Sequence, residues 1–219
     1  MVFLYLYSMR VVSTNIGKSV TINWRGGSEQ TGMYKYPTTQ PIFLGLETVD
    51  KDTITDRKHH GGVYQACYLY SADYYPYWKD KYPYLTWDWG MFGENITVEG
   101  LDETTLRIGS VYSLGEAVVE ITVPRQPCYK LGIRFDAQKI VQEFVTHEHP
   151  GTYVRILKEG NVGKGDSFTL VTEAPDNLTT VDFYRMLYAK KKDQQILEMA
   201  LKNEAIPPDK RKKIMQFRT

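Results

Sequence analysis

The chain has 219 residues, 42% of them hydrophobic and 24% charged. That length holds one sizeable core, or a core with a small appendage, and the ordinary composition excludes a wholly disordered chain. Lys and Arg number 27 against 26 Asp and Glu, a net charge of +1, so there is no global field to hold nucleic acid or an anionic membrane surface.

Residues 2–7 are apolar but run at once into Arg10. A secretory core needs a longer run, and no stretch approaches the eighteen apolar residues of a membrane span. The expectation is an opening strand in a soluble cytoplasmic protein. Residues 2–12 and 19–24 are β-rich and are expected to flank a turn at Asn15-Ile16-Gly17. A compact apolar run follows Pro41 at 42–46. Tyrosine is abundant, at 17 residues, eight of which crowd into 64–84, where Ser71 is expected to N-cap a helix over 72–82. Residues 110–114 and 117–123 flank Gly115-Glu116 as a hairpin would. Asp136 is expected to cap a helix over 137–147, whose Ile140, Val141, Phe144 and Val145 recur at helical spacing. Residues 153–157 and 167–171 flank a turn-rich 158–166. Many short strands on this spacing suggest a barrel or sandwich.

After Pro175 the texture changes. Residues 179–188, 193–201 and 207–215 read as three short helices, the last opened by Pro207-Pro208. The expected organisation is a mainly β domain over 1–175 and a helical appendage over 176–219. Residues 190–219 carry nine Lys/Arg against four Asp/Glu. That excess reads either as a solvated helical face or as a docking surface for an acidic partner.

Cys128 is the first candidate for chemistry. It lies in Pro124-Arg125-Gln126-Pro127-Cys128-Tyr129-Lys130, after a β-like run and at the expected start of a short helix. Flanking cations there are expected to lower the thiol pKa. The sequence leaves open an inert thiol, a nucleophile, a redox group or a soft-metal ligand. Cys67, in an aromatic strand-like run, reads as a small packed hydrophobe; two cysteines are too few for a disulfide scaffold. Asp56-Arg57-Lys58-His59-His60-Gly61-Gly62 reads as a structural turn with surface charge or as an anion cradle. Lys35 follows Thr31-Gly32-Met33-Tyr34 into a strand-like segment ending at Pro37; alone it reads as a surface lysine. No P-loop or GxGxxG is present.

Taken in order, His60-Gly61-Gly62, Phe92-Gly93-Glu94-Asn95, Gly109-Ser110, Gly115-Glu116-Ala117, the Cys128 string and Gly165-Asp166 resemble the MOSC domain, over roughly residues 17–172. The helical tail resembles that of the YiiM-like branch. The resemblance implies a β-barrel-like fold that binds the molybdenum cofactor, Mo-molybdopterin, with Cys128 as ligand to the metal. It implies Lys35, Arg57, His60, Asn95, Arg125 and Lys130 as cofactor contacts. His59 occupies a position often apolar in relatives, which leaves its role open. The implied activity is reduction of N-hydroxylated small molecules, such as hydroxylaminopurines, hydroxylamines and amidoximes. Electrons would come from an external flavoprotein reductase, since the chain shows no flavin, cluster or heme signature. Neither nucleic acid nor membrane is an expected partner. The rival reading is a carrier that passes on the cofactor or its sulfur without turnover; a domain that has lost its cofactor is a third. Protein purified without cofactor is expected to hold a phosphate- or sulfate-sized anion in the basic pocket.

Overall fold

The computed structural model describes residues 9–55 and 61–219. The expected opening strand over 2–7, together with Arg57, His59 and His60, lies outside the described residues. Among the described residues twelve strands and six α-helices follow in order: β1 Met9–Gly17, β2 Val20–Trp24, β3 Gly27–Thr31, β4 Lys35–Pro37, β5 Ile42–Leu44, β6 Cys67–Ser71, α1 Tyr75–Lys81 and β7 Ile96–Glu99. After these come β8 Val111–Leu114, β9 Ala117–Pro124, α2 Tyr129–Arg134, α3 Ile140–His147, β10 Thr152–Lys158, β11 Gly160–Val162 and β12 Ser167–Thr172. Helices α4 Thr180–Tyr188, α5 Gln194–Lys202 and α6 Pro208–Ile214 complete the order.

Seven strands close into a barrel in the order β12-β8-β9-β10-β6-β7-β1, and β1 pairs back onto β12 through Met9↔Phe168 and Arg10↔Ser167. The fold is therefore mainly β, a barrel with inserted helices, and closure leaves the barrel strands without free edges. All neighbours run antiparallel except β6 and β7. The expected hairpin is β8–β9, with Leu114 opposite Ala117.

The expected turn at Asn15-Ile16-Gly17 is not a turn. Strand β1 continues through these residues, which pair with Pro37, Tyr36 and Lys35 of β4. Buried Asn15 finds partners inside the fold: its Nδ2 donates to the Glu94 carbonyl at 3.3 Å and to Thr97 Oγ1 at 3.1 Å. A polar residue satisfied this way costs the strand nothing. The reading of Asp136 as a cap is also corrected. Asp136 has φ of 48°, a left-handed conformation suited to the end of α2 and not to an N-cap, and α3 begins only at Ile140.

The tyrosine-rich segment supplies much of the core, although Tyr77 and Tyr84 are exposed. Tyr70, Tyr75, Trp78, Phe92, Phe135 and Phe144 are all fully buried. Their polar tips are satisfied: Trp78 Nε1 donates to Tyr70 Oη at 2.9 Å, and the Tyr75 hydroxyl donates to Glu94. Ser71 caps a short 3₁₀ turn at Ala72–Tyr74, from which α1 continues. In the tail, Thr179 Oγ1 caps α4 by accepting from Asp182 N, and Asp193 caps α5 by accepting from Gln195 N and Ile196 N. Phe183, Met186, Leu197, Ile206 and Ile214 of this segment join the same buried cluster as the barrel. No helix among the described residues is long and apolar enough to cross a membrane.

Candidate functional site

Strand β9 ends at Pro124, and an extended stretch carries the chain to Cys128, whose φ of −132° and ψ of 175° make it the residue before α2. Cys128 is half-buried and not disulfide-bonded. Its sulfur-bearing side chain lines a pocket of about 650 Å³, part of it open to solvent. Lys35, Asn95, Arg125 and Lys130 line the same pocket. Sequence separations of up to 95 residues are thus brought together by the barrel closure and by β4. Thr55 and Gly61 also line it, at either side of the stretch that holds Arg57 and His60.

The cations are not equivalent. The Lys35 ammonium pairs with Asp52, and their side chains are 8% and 2% exposed. Asp52 also accepts from Asn95 Nδ2 at 2.9 Å and from Gly17 N at 2.8 Å. Lys130 Nζ lies 3.4 Å from Glu29. Arg125 is different. Its guanidinium is buried over the rings of Tyr68 and Phe144, at 5.4 and 5.7 Å. Burial alone lowers its pKa, but Tyr68, Tyr153 and Cys128 together raise it further, so it stays charged. One of its nitrogens, Nη1, is buried with no hydrogen-bond partner. Orphaned buried donors are costly, by about 1–3 kcal/mol or more for a charged group.

Glycines shape the entrance. Gly61 and Gly62 have φ of 79° and 77°, which L side chains rarely adopt, and Gly62 N donates to the Glu47 carbonyl at 3.0 Å. At Gly32 a Cβ would stand 1.7 Å from the Thr53 carbonyl oxygen, so only glycine lets these two pocket-lining segments meet.

Residues 56–169 match the MOSC domain profile. The chain belongs to the MOSC family. It is 33% identical to the uncharacterized protein YflK of Bacillus subtilis over 94% of this chain and 93% of that one. It is 32% identical to protein YiiM of Escherichia coli over 61% of this chain and 59% of YiiM. A protein of Gibberella moniliformis named Reductase is 30% identical over 75% of this chain, which spans only 30% of that longer protein. Among solved structures, YiiM from Geobacillus stearothermophilus superposes with a TM-score of 0.81 at 25% identity, covering 96% of this chain and 100% of that one.

In this MOSC barrel several pocket residues escaped the sequence reading. Asp52 is the foremost: it sits in an unremarked Lys51-Asp52-Thr53 run, and only its pairing with Lys35 reveals it. Tyr68 and Tyr153 also line the pocket, and burial raises both phenols' pKa values, keeping them protonated donors. A third is the β2–β3 hairpin, whose two-residue turn Arg25-Gly26 has both φ values positive. Its Trp24 stacks on Tyr129 at 5.0 Å, and its Glu29 accepts from the Tyr129 hydroxyl, so the hairpin braces the helix that follows Cys128. Cys67 is 1% exposed, and burial above all pushes its thiol pKa up, in keeping with a packed hydrophobe.

Proposed function

We propose that this MOSC protein is a molybdenum-cofactor-dependent reductase of N-hydroxylated compounds. The observation that carries the reading is the pairing of one half-buried thiol, Cys128, with a buried Arg125 nitrogen that no protein group satisfies, in a single pocket. Such a donor set fits a group that combines a soft metal with anionic oxygens. A thiolate suits a soft metal, and charge-assisted hydrogen bonds from guanidinium or ammonium to phosphate or oxo groups are worth about 1.5–3 kcal/mol each. Cys128 would be the protein ligand to molybdenum, and Arg125 and Lys130 would hold anionic oxygens. Lys35 and Asn95 enter differently: through Asp52 they form a fixed polar wall. Arg57 and His60 are proposed as further cofactor contacts on the strength of the family motif alone.

The chemistry supplied by the bound cofactor is a two-electron reduction with oxygen removal: R–NH–OH plus two electrons and two protons gives R–NH₂ and water. The chain's own contribution is to hold and orient. Tyr68, whose ring lies under the Arg125 guanidinium, packs that cation beside the pocket, and the β2–β3 hairpin braces α2. Electrons would arrive from a separate flavoprotein, docked through the exposed lysines Lys190, Lys191 and Lys212 of the basic tail. The MOSC relationship and the relative named Reductase support this reading.

The test is expression in a host that makes the cofactor, with molybdenum content and turnover of an N-hydroxylated purine measured under reduced viologen. Wild type is expected to carry metal and turn over, and Cys128→Ala to lose both. Metal uptake without turnover in wild type would instead establish the carrier reading, and metal retained by Cys128→Ala would refute the ligand assignment.

A further inference from the structure

The pocket continues past Cys128. A second cavity of about 1900 Å³, counting its open mouth, shares Gly61, Gln65, Cys128, Lys130 and Tyr153 with the first. Its remaining walls bring in Tyr64, Tyr188 and the last helix, α6, which contributes Lys210 and Lys213. The tail that the charge pattern marks as a partner surface is therefore in part the wall of a groove that leads to the sulfur.

Two features of this wall point to a ligand. First, Lys210 is half-buried and its ammonium donates to Gln126 Oε1, a neutral acceptor. Burial, and next the charge of Lys213, lower its pKa, while Asp209 offsets only part of that. Asp209 lies 3.6 Å from Lys213 and acts on Lys210 only through space, so one exposed carboxylate is left to offset two ammonium groups. An anion placed between them would relieve that repulsion. Second, the distance suits a small molecule. Gln126 stands two residues before Cys128, their Cα atoms at most about 7 Å apart, and both line one groove with Lys210, so a ligand the length of a nucleotide can span from the ammonium to Cys128. Tyr64, Tyr153 and Tyr188 line the same groove, and aromatic side chains favour contact with a planar ring.

We propose that the groove takes a phosphate-bearing N-hydroxylated heterocycle, a nucleoside monophosphate being the class that fits. The base lies along the tyrosine wall toward Cys128, and the phosphate is held by Lys210 and Lys213. A phosphate carries between one and two negative charges near neutrality and so matches two ammonium groups better than a carboxylate does. The N-hydroxyl part rests on the reductase reading above; the nucleotide groove does not.

Calorimetry on the full-length, cofactor-free protein tests the groove by itself, with adenosine monophosphate, adenosine and inorganic phosphate as probes. The monophosphate is expected to bind about tenfold or more tighter than either of the others, the size of one charge-assisted contact. Lys213→Glu, at an exposed position that folding tolerates, and Lys210→Ala/Lys213→Ala are both expected to erase that difference. Equal binding of nucleotide and nucleoside, or phosphate binding as tightly as the nucleotide, would overturn the proposal, as would a preference that survives both variants. In the loaded enzyme, the N-hydroxylated adenosine monophosphate is expected to exceed its nucleoside in kcat/KM, with the ratio collapsing in Lys213→Glu. Lysine-dependent nucleotide binding with neither N-hydroxyl compound reduced would sink the reductase reading and leave the groove standing. Both compounds reduced equally well would do the reverse.

Discussion

Asp52→Ala removes one carboxylate from beneath the pocket and leaves three donors behind: the Lys35 ammonium, Asn95 Nδ2 and the Gly17 amide. The Lys35 side chain is only 8% exposed, so water cannot fully replace the lost partner. Breaking a buried pair by deleting one member costs about 3–5 kcal/mol, because the surviving charge stays buried. The pocket beside Lys35 is open enough to admit some solvent, which places the expected loss at about 3–4 kcal/mol. For a chain of this size that corresponds to a fall in Tm of about 8–12 °C. Urea unfolding and scanning calorimetry of the cofactor-free protein measure it. The double variant Lys35→Met/Asp52→Ala buries no charge and should recover at least about 2 kcal/mol relative to the sum of the single losses. If the two losses simply add, or if Asp52→Ala alone costs under about 1 kcal/mol, the pair is not the structural support argued here.

Thiol chemistry separates the two cysteines. Cys67 is sealed in the core and Cys128 opens onto both cavities, so native protein should take up one equivalent of iodoacetamide, at Cys128, and unfolded protein two. Equal labelling of both in the native state would contradict the burial of Cys67. The His147 ring stacks on Tyr77 at 4.3 Å, and its pKa is lowered from the ordinary 6.5 to about 4, by burial first and then by His149 and Lys81. Between those two values the unfolded chain binds the proton and the folded one does not. The contribution is therefore complete above about pH 6.5 and lost as pH falls toward 4. Water reaching one side of the ring limits the loss to about 1–2 kcal/mol. His147→Phe should flatten that part of the stability-versus-pH curve; an unchanged slope would show that other groups set it.

Much of the architecture could be read locally. Glycine-turned hairpins such as β8–β9 and the capped tail helices announce themselves within a dozen residues: Thr179 before α4, Asp193 before α5 and Pro208 at the start of α6. The strand-to-helix passage at Cys128 was legible for the same reason, since prolines on one side and a short helical run on the other leave few alternatives. What escaped was set by distant partners. Asn15-Ile16-Gly17 carries turn residues, yet it pairs as strand because β4 and Thr97 satisfy it. Asp136 looks like an N-cap, but its backbone is left-handed and it follows the end of α2. Nothing near Asp52 marks it, because its meaning comes from Lys35, Asn95 and Gly17, 17 to 43 residues away. The family resemblance implies Lys35, Asn95, Arg125 and Lys130 as cofactor contacts, and the fold brings all four to the pocket with Cys128, but the resemblance is silent on which cations are already neutralised inside the fold.

Strand β1 holds the barrel's seam and anchors the strand that brings Lys35 to the pocket. Its first two residues meet β12, its middle meets β7, and its last three meet β4, the strand that presents Lys35. Because side chains alternate along a strand, a slip of one residue would turn the inner face outward and part Lys35 from Asp52 together. The alignment of one strand therefore decides at once whether the cylinder shuts and whether the buried ion pair can form.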